Sequence, residues 1–380
     1  MSKIIKIFII VTNLTLFTLG CTSLFMNEKI PKTTKEAPKV LEKSPNTSTE
    51  QKSSTSADKI KDFKTLTQGV ISDISSSGNT IALISQNSAE DELPSWEEKK
   101  NNLSLYNLKD DEIQPILSTK ANIKSGKFDT EERGLYYLEN EDESDFQLYW
   151  INNTGSKKVR ISPSEHFISS NFYLMPNDDV YYGTKDGKIV RANKDHLNYI
   201  ISTLNLGPSY NIQQIYYYKK KDLIVFSAYK NDQLNLYTLD LKIKKPVIFI
   251  SGIAGNFTFS KKEKKLLYAT TIPDSNKQTL WMMNLKNKNA LKIVEGFPKK
   301  PTFSPQLNEI VYLDKTDPNS DLQNIWVYDL ESKKNKQIAS NLKIASDLYW
   351  NPKGEELLFS TYDTIENQIE STVNLLDYKK

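Results

Sequence analysis

The chain has little of what most catalytic sites are built from. Its 380 residues include one cysteine, Cys21, and two histidines, His166 and His196. Cys21 is not expected in the folded part of the chain, which excludes a cysteine–histidine pair there. A serine–histidine–aspartate triad would have to use one of the two histidines. Both histidines are predicted to be exposed loop residues. The sequence contains no nucleophile elbow, no HExxH helix and no glycine-rich phosphate loop, so we expect no catalytic residues.

The chain also has few arginines and a small net charge. There are three arginines and the formal net charge is +3, which is not the electrostatic pattern of a nucleic-acid binder. The acidic runs at 141–145 and 314–321 lack the central glycine and final glutamate of a calcium loop, and we interpret them as solvated surface. We therefore predict no metal site and no cofactor. The sequence does not exclude a pair of glycosidase carboxylates, because the distance between the two groups depends on the three-dimensional structure.

The longest apolar run near the start is too short to span a membrane. Lys3 and Lys6 precede the apolar residues 7–19, well under the roughly 20 residues that a bilayer requires, so residues 1–20 are predicted to be a signal peptide. The Gly20–Cys21 pair resembles the end of a bacterial lipobox, which implies lipid attachment at Cys21. Residues 21–58 are rich in Ser, Thr, Lys, Glu and Pro and are predicted to form a disordered tether. The expected location is the cell envelope, outside the cytoplasm, either periplasmic or on the cell surface.

A seven-residue interval recurs through the rest of the chain. An apolar residue that ends one strand is followed seven positions later by the first of three apolar residues. The copies are Ile74 to Ile81, Phe128 to Leu135, Tyr217 to Ile224, Phe259 to Leu266, Phe303 to Ile310 and Trp350 to Leu357, with Leu174 to Val180 one residue shorter. Each unit has a third strand that starts near residue 105, 148, 189, 236, 280, 325 or 373, and six units have a fourth. Strand-only units of roughly 45 residues are typical of propeller blades.

The seventh unit lacks a fourth strand of its own, because its third strand runs to the end of the sequence. A spare strand, FKTLTQ at 63–68, precedes the first unit. We predict that it pairs into the last blade and closes the ring, which would remove open sheet edges. The predicted fold is an all-β, seven-bladed propeller over residues 59–380.

The loops differ in length and charge. Second-to-third strand loops vary in length and are often acidic, whereas the opposite turns are short and carry runs of lysine. This pattern predicts one acidic and one basic face. Variable loops on a rigid scaffold are common binding surfaces. Our binding-face candidates on these loops are Trp96, Asp142, Asp145, Asp317 and Asp321.

One stretch carries a family resemblance. The residues FSPQLNEIVYLDKTDPNSDLQNIWVYDLESKKNKQIAS, at 303–340, resemble the repeat of TolB-type propellers, which are related to WD-repeat proteins. The resemblance implies a propeller whose best-known relatives are periplasmic and bind other envelope proteins. Other members are propeller halves of serine peptidases; since this sequence shows no α/β-hydrolase domain, we do not expect the peptidase activity to carry over.

These observations favour a non-catalytic binding module whose partner is an envelope protein or a cell-wall glycan. The oligomeric state is left open. The competing hypothesis is a carboxylate-dependent glycan hydrolase or lyase with its site in the central funnel. That alternative requires two or more acids that converge at the funnel mouth with nothing basic beside them.

Overall fold

The chain folds into seven four-stranded antiparallel sheets, as seen in a computed structural model that describes residues 63–86, 101–140, 146–196, 198–365 and 368–378. The predicted seven-bladed, all-β propeller is confirmed. The predicted signal peptide, Cys21 and the tether lie outside the described residues. Within the described ranges, the helical structure is the single turn Lys219–Lys221, and no helix is long and apolar enough to cross a bilayer.

The strands follow the chain in blade order, apart from the first. Strand β1 is Phe63–Gln68. Blade 1 is β2 Val70–Ile74, β3 Thr80–Gln86, β4 Asn101–Asn107 and β5 Glu112–Thr119; blade 2 is β6 Asn122–Phe128, β7 Gly134–Asn140, β8 Gln147–Asn152 and β9 Lys158–Arg160; blade 3 is β10 Ile168–Leu174, β11 Val180–Thr184, β12 Lys188–Ala192 and β13 Ile200–Asn205. Blade 4 is β14 Asn211–Tyr218, β15 Leu223–Lys230, β16 Gln233–Asp240 and β17 Pro246–Ile250; blade 5 is β18 Thr258–Phe259, β19 Lys265–Thr271, β20 Gln278–Asn284 and β21 Ala290–Gly296. Blade 6 is β22 Lys299–Phe303, β23 Glu309–Asp314, β24 Gln323–Asp329 and β25 Asn335–Leu342; blade 7 is β26 Tyr349–Trp350, β27 Glu356–Ile365 and β28 Gln368–Asp377.

Strand β1 is the fourth strand of blade 7. It pairs antiparallel with β28, with Phe63 opposite Leu376 and Gln68 opposite Thr372. Gly69 alone separates β1 from β2, and its φ of +124° is a conformation that a side chain rarely permits. The chain therefore passes from the last blade to the first through one glycine.

Seven apolar cores lie between the blades, one for each neighbouring pair. The core between blades 7 and 1, for example, joins Ile71, Ile81 and Leu83 to Leu358 and Val373. The other six cores join blades 1 and 2, 2 and 3, 3 and 4, 4 and 5, 5 and 6, and 6 and 7 in the same way. Middle strands are covered on both faces, which explains their unbroken apolar runs; all seven residues of β7 are buried.

Buried polar side chains set the seven-residue interval. The first residue of most first-to-second strand turns is a buried Ser, Asp or Asn whose side chain accepts a backbone N–H across the turn. The bonds are Thr80 N to Ser75 Oγ at 3.0 Å, Arg133 N to Asp129 Oδ1 at 2.8 Å, Lys265 N to Ser260 Oγ at 3.0 Å, Glu309 N to Ser304 Oγ at 3.1 Å and Glu355 N to Asn351 Oδ1 at 2.9 Å. These five turns therefore share one geometry and one length.

The antiparallel order of each blade gives the ring two different faces. First-to-second and third-to-fourth strand turns lie on one face, which we call the hairpin face. Second-to-third strand turns and the links between blades lie on the other, which we call the loop face. Strand β1 starts on the hairpin face, since Phe63 lies opposite Leu376 at the end of β28.

Candidate functional site

The inner strands β2, β6, β10, β14, β18, β22 and β26 surround the centre of the ring. One side chain of each inner strand reaches the inner strand of the next blade or the residues just before it. We call this set the inner belt: Asp73, Lys127, Tyr173, Gln214, Thr258, Lys300 and Tyr349. The belt runs once around the ring, with one member from each blade.

Hydrogen bonds form most of the inner belt. Asp73 Oδ2 accepts the backbone N–H of Phe128 at 3.0 Å, and Tyr349 Oη donates to the carbonyl of Ser72 at 2.9 Å. Thr258 Oγ1 donates to the carbonyl of Pro301 at 3.0 Å, and Lys300 Nζ donates to that of Ser346 at 2.8 Å.

The other three belt members complete the ring. Gln214 bonds both backbone groups of Phe257, each at 2.9 Å. Lys127 Nζ lies 3.5 Å from the carbonyl oxygen of Phe172, and the rings of Tyr173 and Tyr216 pack with centroids 4.7 Å apart. The polar side chains at the centre thus join blade to blade, which is a structural role.

Asp73 is the most perturbed carboxyl of the belt. Burial raises its pKa from 3.8 to about 6, against the opposing pull of Lys127. The neighbouring Tyr349 hydroxyl is held neutral, because burial raises its pKa well above the ordinary value. A second inner acid, Asp347, has its Oδ1 3.5 Å from Lys300 Nζ. Each acid therefore has a lysine beside it, so the described inner strands do not show the unneutralised acid pair that a glycosidase requires.

Metal-ligating side chains are not gathered anywhere in the described part of the chain. No group of three or more His, Cys, Asp or Glu side chains is placed to hold a metal ion there. Part of the acidic run at 314–321 has a structural use instead. Asp314 Oδ1 accepts the backbone N–H of Phe297 at 2.7 Å, which fixes the link between blades 5 and 6.

The two histidines differ from each other. His196 is exposed, as predicted, but the prediction for His166 is wrong, because this side chain is only 8 % exposed. His166 Nδ1 lies 3.1 Å from the hydroxyl of Tyr182, and burial lowers the pKa of the imidazole. The reason is that the link between blades 2 and 3 packs inward against β11. His166 is a neutral, hydrogen-bonded core residue.

Two of the predicted binding residues can be placed on the loop face. Asp317 and Asp321 are exposed between β23 and β24, and Asp317 Oδ1 accepts the N–H of Asn319 at 2.9 Å. Trp96, Asp142 and Asp145 lie outside the described residues, as does Cys21.

Large apolar side chains on the loop face were missed by the sequence reading. Phe167, Tyr229, Leu322, Ile365 and Ile369 are all exposed there. Ile365 and Ile369 belong to the hairpin of β27 and β28, whose ten-residue strands are the longest among the described strands. We call residues 361–365 and 368–372 the blade-7 arm. Its sequence signal is a group of strand-favouring residues, Thr361, Tyr362, Thr364, Ile365 and Ile369.

A polar cavity of about 270 Å³ opens between blades 1 and 2 on the hairpin face. Its walls include Glu112, Gln114, Glu132 and Asn153. Glu132 is already engaged, because its Oε1 accepts both the N–H and the hydroxyl of Ser76 at 2.6 Å. The cavity is therefore a small polar recess away from the centre of the ring.

Sequence comparison finds no relative of this chain. No protein-family model matches it, and no curated protein matches it. Solved structures match this chain by structural superposition. Oligogalacturonate lyase from Vibrio parahaemolyticus superposes with a TM-score of 0.60 at 9 % identity, over 82 % of this chain and 91 % of that one. The WD40 propeller domain of Doa1 superposes with a TM-score of 0.53 at 9 % identity, over 82 % and 97 %.

The chain shares the propeller fold of WD-repeat proteins. TolB from Acinetobacter baumannii is also matched, with a TM-score of 0.45 at 12 % identity. That match covers 79 % of this chain and 64 % of TolB, so the chain spans less than two thirds of TolB's length. At these identities the likeness is one of fold, and the propeller fold expected from the repeat is confirmed by the match to the WD40 domain.

Proposed function

We propose that the chain is a lipid-anchored, non-catalytic binding module of the cell envelope, whose partner is an envelope protein or a cell-wall glycan. The observation that carries the proposal is a difference between the centre of the ring and its loop face. Polar side chains at the centre join neighbouring blades, whereas the loop face displays exposed apolar side chains, including Ile365 and Ile369 on paired strands. Such a surface suits binding more than bond cleavage.

The blade-7 arm is the proposed contact point. Ile365 is 51 % exposed and Ile369 is 67 % exposed, and both sit near the tip of a continuous hydrogen-bonded ribbon. Large apolar side chains held by a rigid scaffold lose little conformational freedom on binding, so their burial contributes efficiently to affinity. This chemistry favours a protein over a glycan as the partner.

The location is proposed from the start of the sequence. A signal peptide over residues 1–20 and lipid on Cys21 would place the propeller outside the cytoplasm, either in the periplasm or on the cell surface. The tether predicted for residues 21–58 would leave the ring free to change its orientation relative to the membrane.

Affinity capture from detergent-solubilised envelope tests the proposal. The wild-type chain should retain a reproducible companion, and the double variant Ile365→Asp, Ile369→Asp should lose it. Ile113→Asp is the matched control, because Ile113 is equally exposed but lies on β5 near the hairpin face. Absence of any reproducible companion, or its equal retention by the arm variant, would contradict the proposal.

One observation favours the second candidate, a carboxylate-dependent glycan hydrolase or lyase. Asp73 is an acid at the centre of a ring with the fold of oligogalacturonate lyase, and its pKa of about 6 suits proton transfer near neutral pH. Cleavage of oligogalacturonate or cell-wall glycan that disappears in Asp73→Asn would support this function over the binding module.

A further inference from the structure

The hairpin face is strongly basic on one side of the ring. The first-to-second and third-to-fourth strand turns of blades 4, 5 and 6 carry thirteen lysines and three acids. We call these lysines the basic sector: Lys219, Lys220, Lys221, Lys242, Lys244, Lys245, Lys261, Lys262, Lys264, Lys286, Lys288, Lys333 and Lys334.

The same face is acidic on the other side. The corresponding turns of blades 1, 2 and 3 carry eight acids and four basic residues. The acids are Asp110, Asp111, Asp129, Glu131, Glu132, Asp178, Asp179 and Asp195. Three of these acids, Asp129, Asp178 and Asp179, are buried, so the acidic half of the face is much weaker than its basic half.

The lysines of the basic sector are available to a ligand. All thirteen are exposed, and none is in an ion pair with an acid among the described residues. Two of the three nearby acids have other partners. Asp222 accepts the Tyr217 hydroxyl at 2.5 Å, and Glu263 accepts the N–H of Lys219 at 3.1 Å.

Like charges crowd each other within the sector. Partial burial and the nearby Lys221 both lower the pKa of Lys288, although Lys221 belongs to blade 4 and Lys288 to blade 5. Lys288 Nζ also lies 3.9 Å from the centre of the Phe249 ring. An anionic surface placed over these turns would relieve the repulsion.

An apolar side chain projects from the middle of the lysines. Ile243 lies between Lys242 and Lys244 in the turn from β16 to β17 and is 71 % exposed, more than any other large apolar residue described. Val247 and Ile248 follow it on the outer strand of blade 4 and are exposed as well. Lysines that surround exposed aliphatic side chains are typical of surfaces that enter the headgroup region of a bilayer.

The start of the described chain lies on the same face. Phe63 begins β1 on the hairpin face of blade 7, which is next to blade 6 in the ring. The described chain therefore begins on the face that carries the lysines.

We propose that the basic sector docks onto an anionic lipid bilayer, with Ile243 entering the headgroup region. Lysines act as point charges toward lipid phosphates and need no fixed geometry. A soluble polyanion would use the lysines but would gain nothing from Ile243, which is why the bilayer is the better fit. Docking by the hairpin face would turn the loop face, including the blade-7 arm, away from the membrane.

Vesicle co-sedimentation tests this surface without any protein partner, so its outcome is separate from that of the capture experiment. The probe is the unlipidated chain that begins at Thr22, with phosphatidylcholine vesicles that contain either no phosphatidylglycerol or about 40 mol % of it, which gives them a negative surface potential. We expect binding to the anionic vesicles at low salt, little binding to the neutral ones, and release at high salt because the charges are screened.

Variants distinguish the two parts of the surface. Each lysine near an anionic surface contributes about fivefold, so Lys242→Glu, Lys244→Glu, Lys245→Glu together should weaken binding by at least about 100-fold. Ile243→Asn should weaken it roughly tenfold. The control Lys109→Glu, Lys157→Glu alters the acidic half and should change binding less than about twofold. Circular dichroism melts should show that every variant is folded.

Three results would overturn the proposal. The first is equal binding to neutral and anionic vesicles, and the second is unchanged binding of the triple lysine variant. The third is binding to heparin without binding to anionic vesicles, with Ile243→Asn no different from the wild type, which would assign the surface to a soluble polyanion.

Discussion

At the scale of single residues, Asp73 couples the centre of the ring to pH. Its carboxylate accepts the Phe128 N–H and lies near Lys127, yet burial outweighs both and raises its pKa from 3.8 to about 6. The folded chain therefore holds a proton between about pH 4 and pH 6 that the unfolded chain has lost, and stability must fall as pH rises through that window. Asp73 is half-buried rather than fully buried, so some solvent screening remains and the loss should be roughly 1 to 2 kcal/mol, less than the full shift would give.

Asp73→Asn should remove this loss, since an amide does not ionise and its oxygen can still accept the Phe128 N–H. The measurement is the free energy of unfolding in urea at pH 4 and at pH 7. We expect the variant to gain roughly 1 to 2 kcal/mol relative to the wild type over this interval. Asp317→Asn, on the exposed loop of blade 6, serves as the control and should follow the wild type. A variant whose pH profile parallels the wild type would show that Asp73 is not the source.

At the scale of strands, the inner belt depends on single side chains that bridge two blades. Gln214 donates to the Phe257 carbonyl and accepts the Phe257 N–H, and no other bond to these two groups is seen among the described residues. Gln214→Ala would leave two polar groups of a buried residue unpaired, which costs roughly 2 to 4 kcal/mol. Urea unfolding should show this loss, whereas Gln233→Ala, at an exposed position of the same blade, should change stability by less than about 0.5 kcal/mol. Equal effects would mean that the bridge contributes nothing.

Strands and turns were readable from the sequence because they depend on near neighbours. The residue that caps each tight turn lies four or five positions from the N–H it accepts, as Ser75 does for Thr80. The seven-residue interval between strands therefore depends on residues that are close in the sequence. The spare strand at 63–68 matches β1 in its bounds for the same reason. The blade-7 arm has a local signal too, its strand-favouring residues around Ile365 and Ile369, but the length and acidity of the loops favoured other residues as candidates.

The inner belt could not be read in this way, because its partners are about one blade apart in the sequence. Asp73 and Phe128 meet only once two blades are packed, and nothing near Asp73 in the chain marks it as central. The same holds for His166, whose burial depends on the packing of a link against Tyr182. A histidine in a polar segment is expected to be exposed, and here tertiary packing overrides that expectation.

At the scale of the whole molecule, charge differs between the two sides of the hairpin face, blades 4 to 6 against blades 1 to 3. The sequence analysis predicted a difference between the two faces only. The type of turn separates the two faces, whereas the contrast between Lys219–Lys221 and the exposed Asp110 and Asp111 is between blades on one face. Seeing it requires the order of blades around the ring. A propeller with such a face has a preferred orientation toward any anionic surface, and its apolar loop face then points the other way.

Ring closure is the property on which both faces depend. Strand β1 covers the edge of β28, and the Phe63 ring packs edge-on against Phe359 with centroids 5.5 Å apart. A chain trimmed to begin at Gly69 would expose that edge, and open edges promote association between molecules. We expect it to elute from size exclusion as oligomers and to unfold at lower urea than a chain that begins at Lys59. A synthetic peptide of residues 59–68 should partly restore the monomer, and a Gly69 chain that stays monomeric with an unchanged urea midpoint would show that blade 7 holds without its fourth strand.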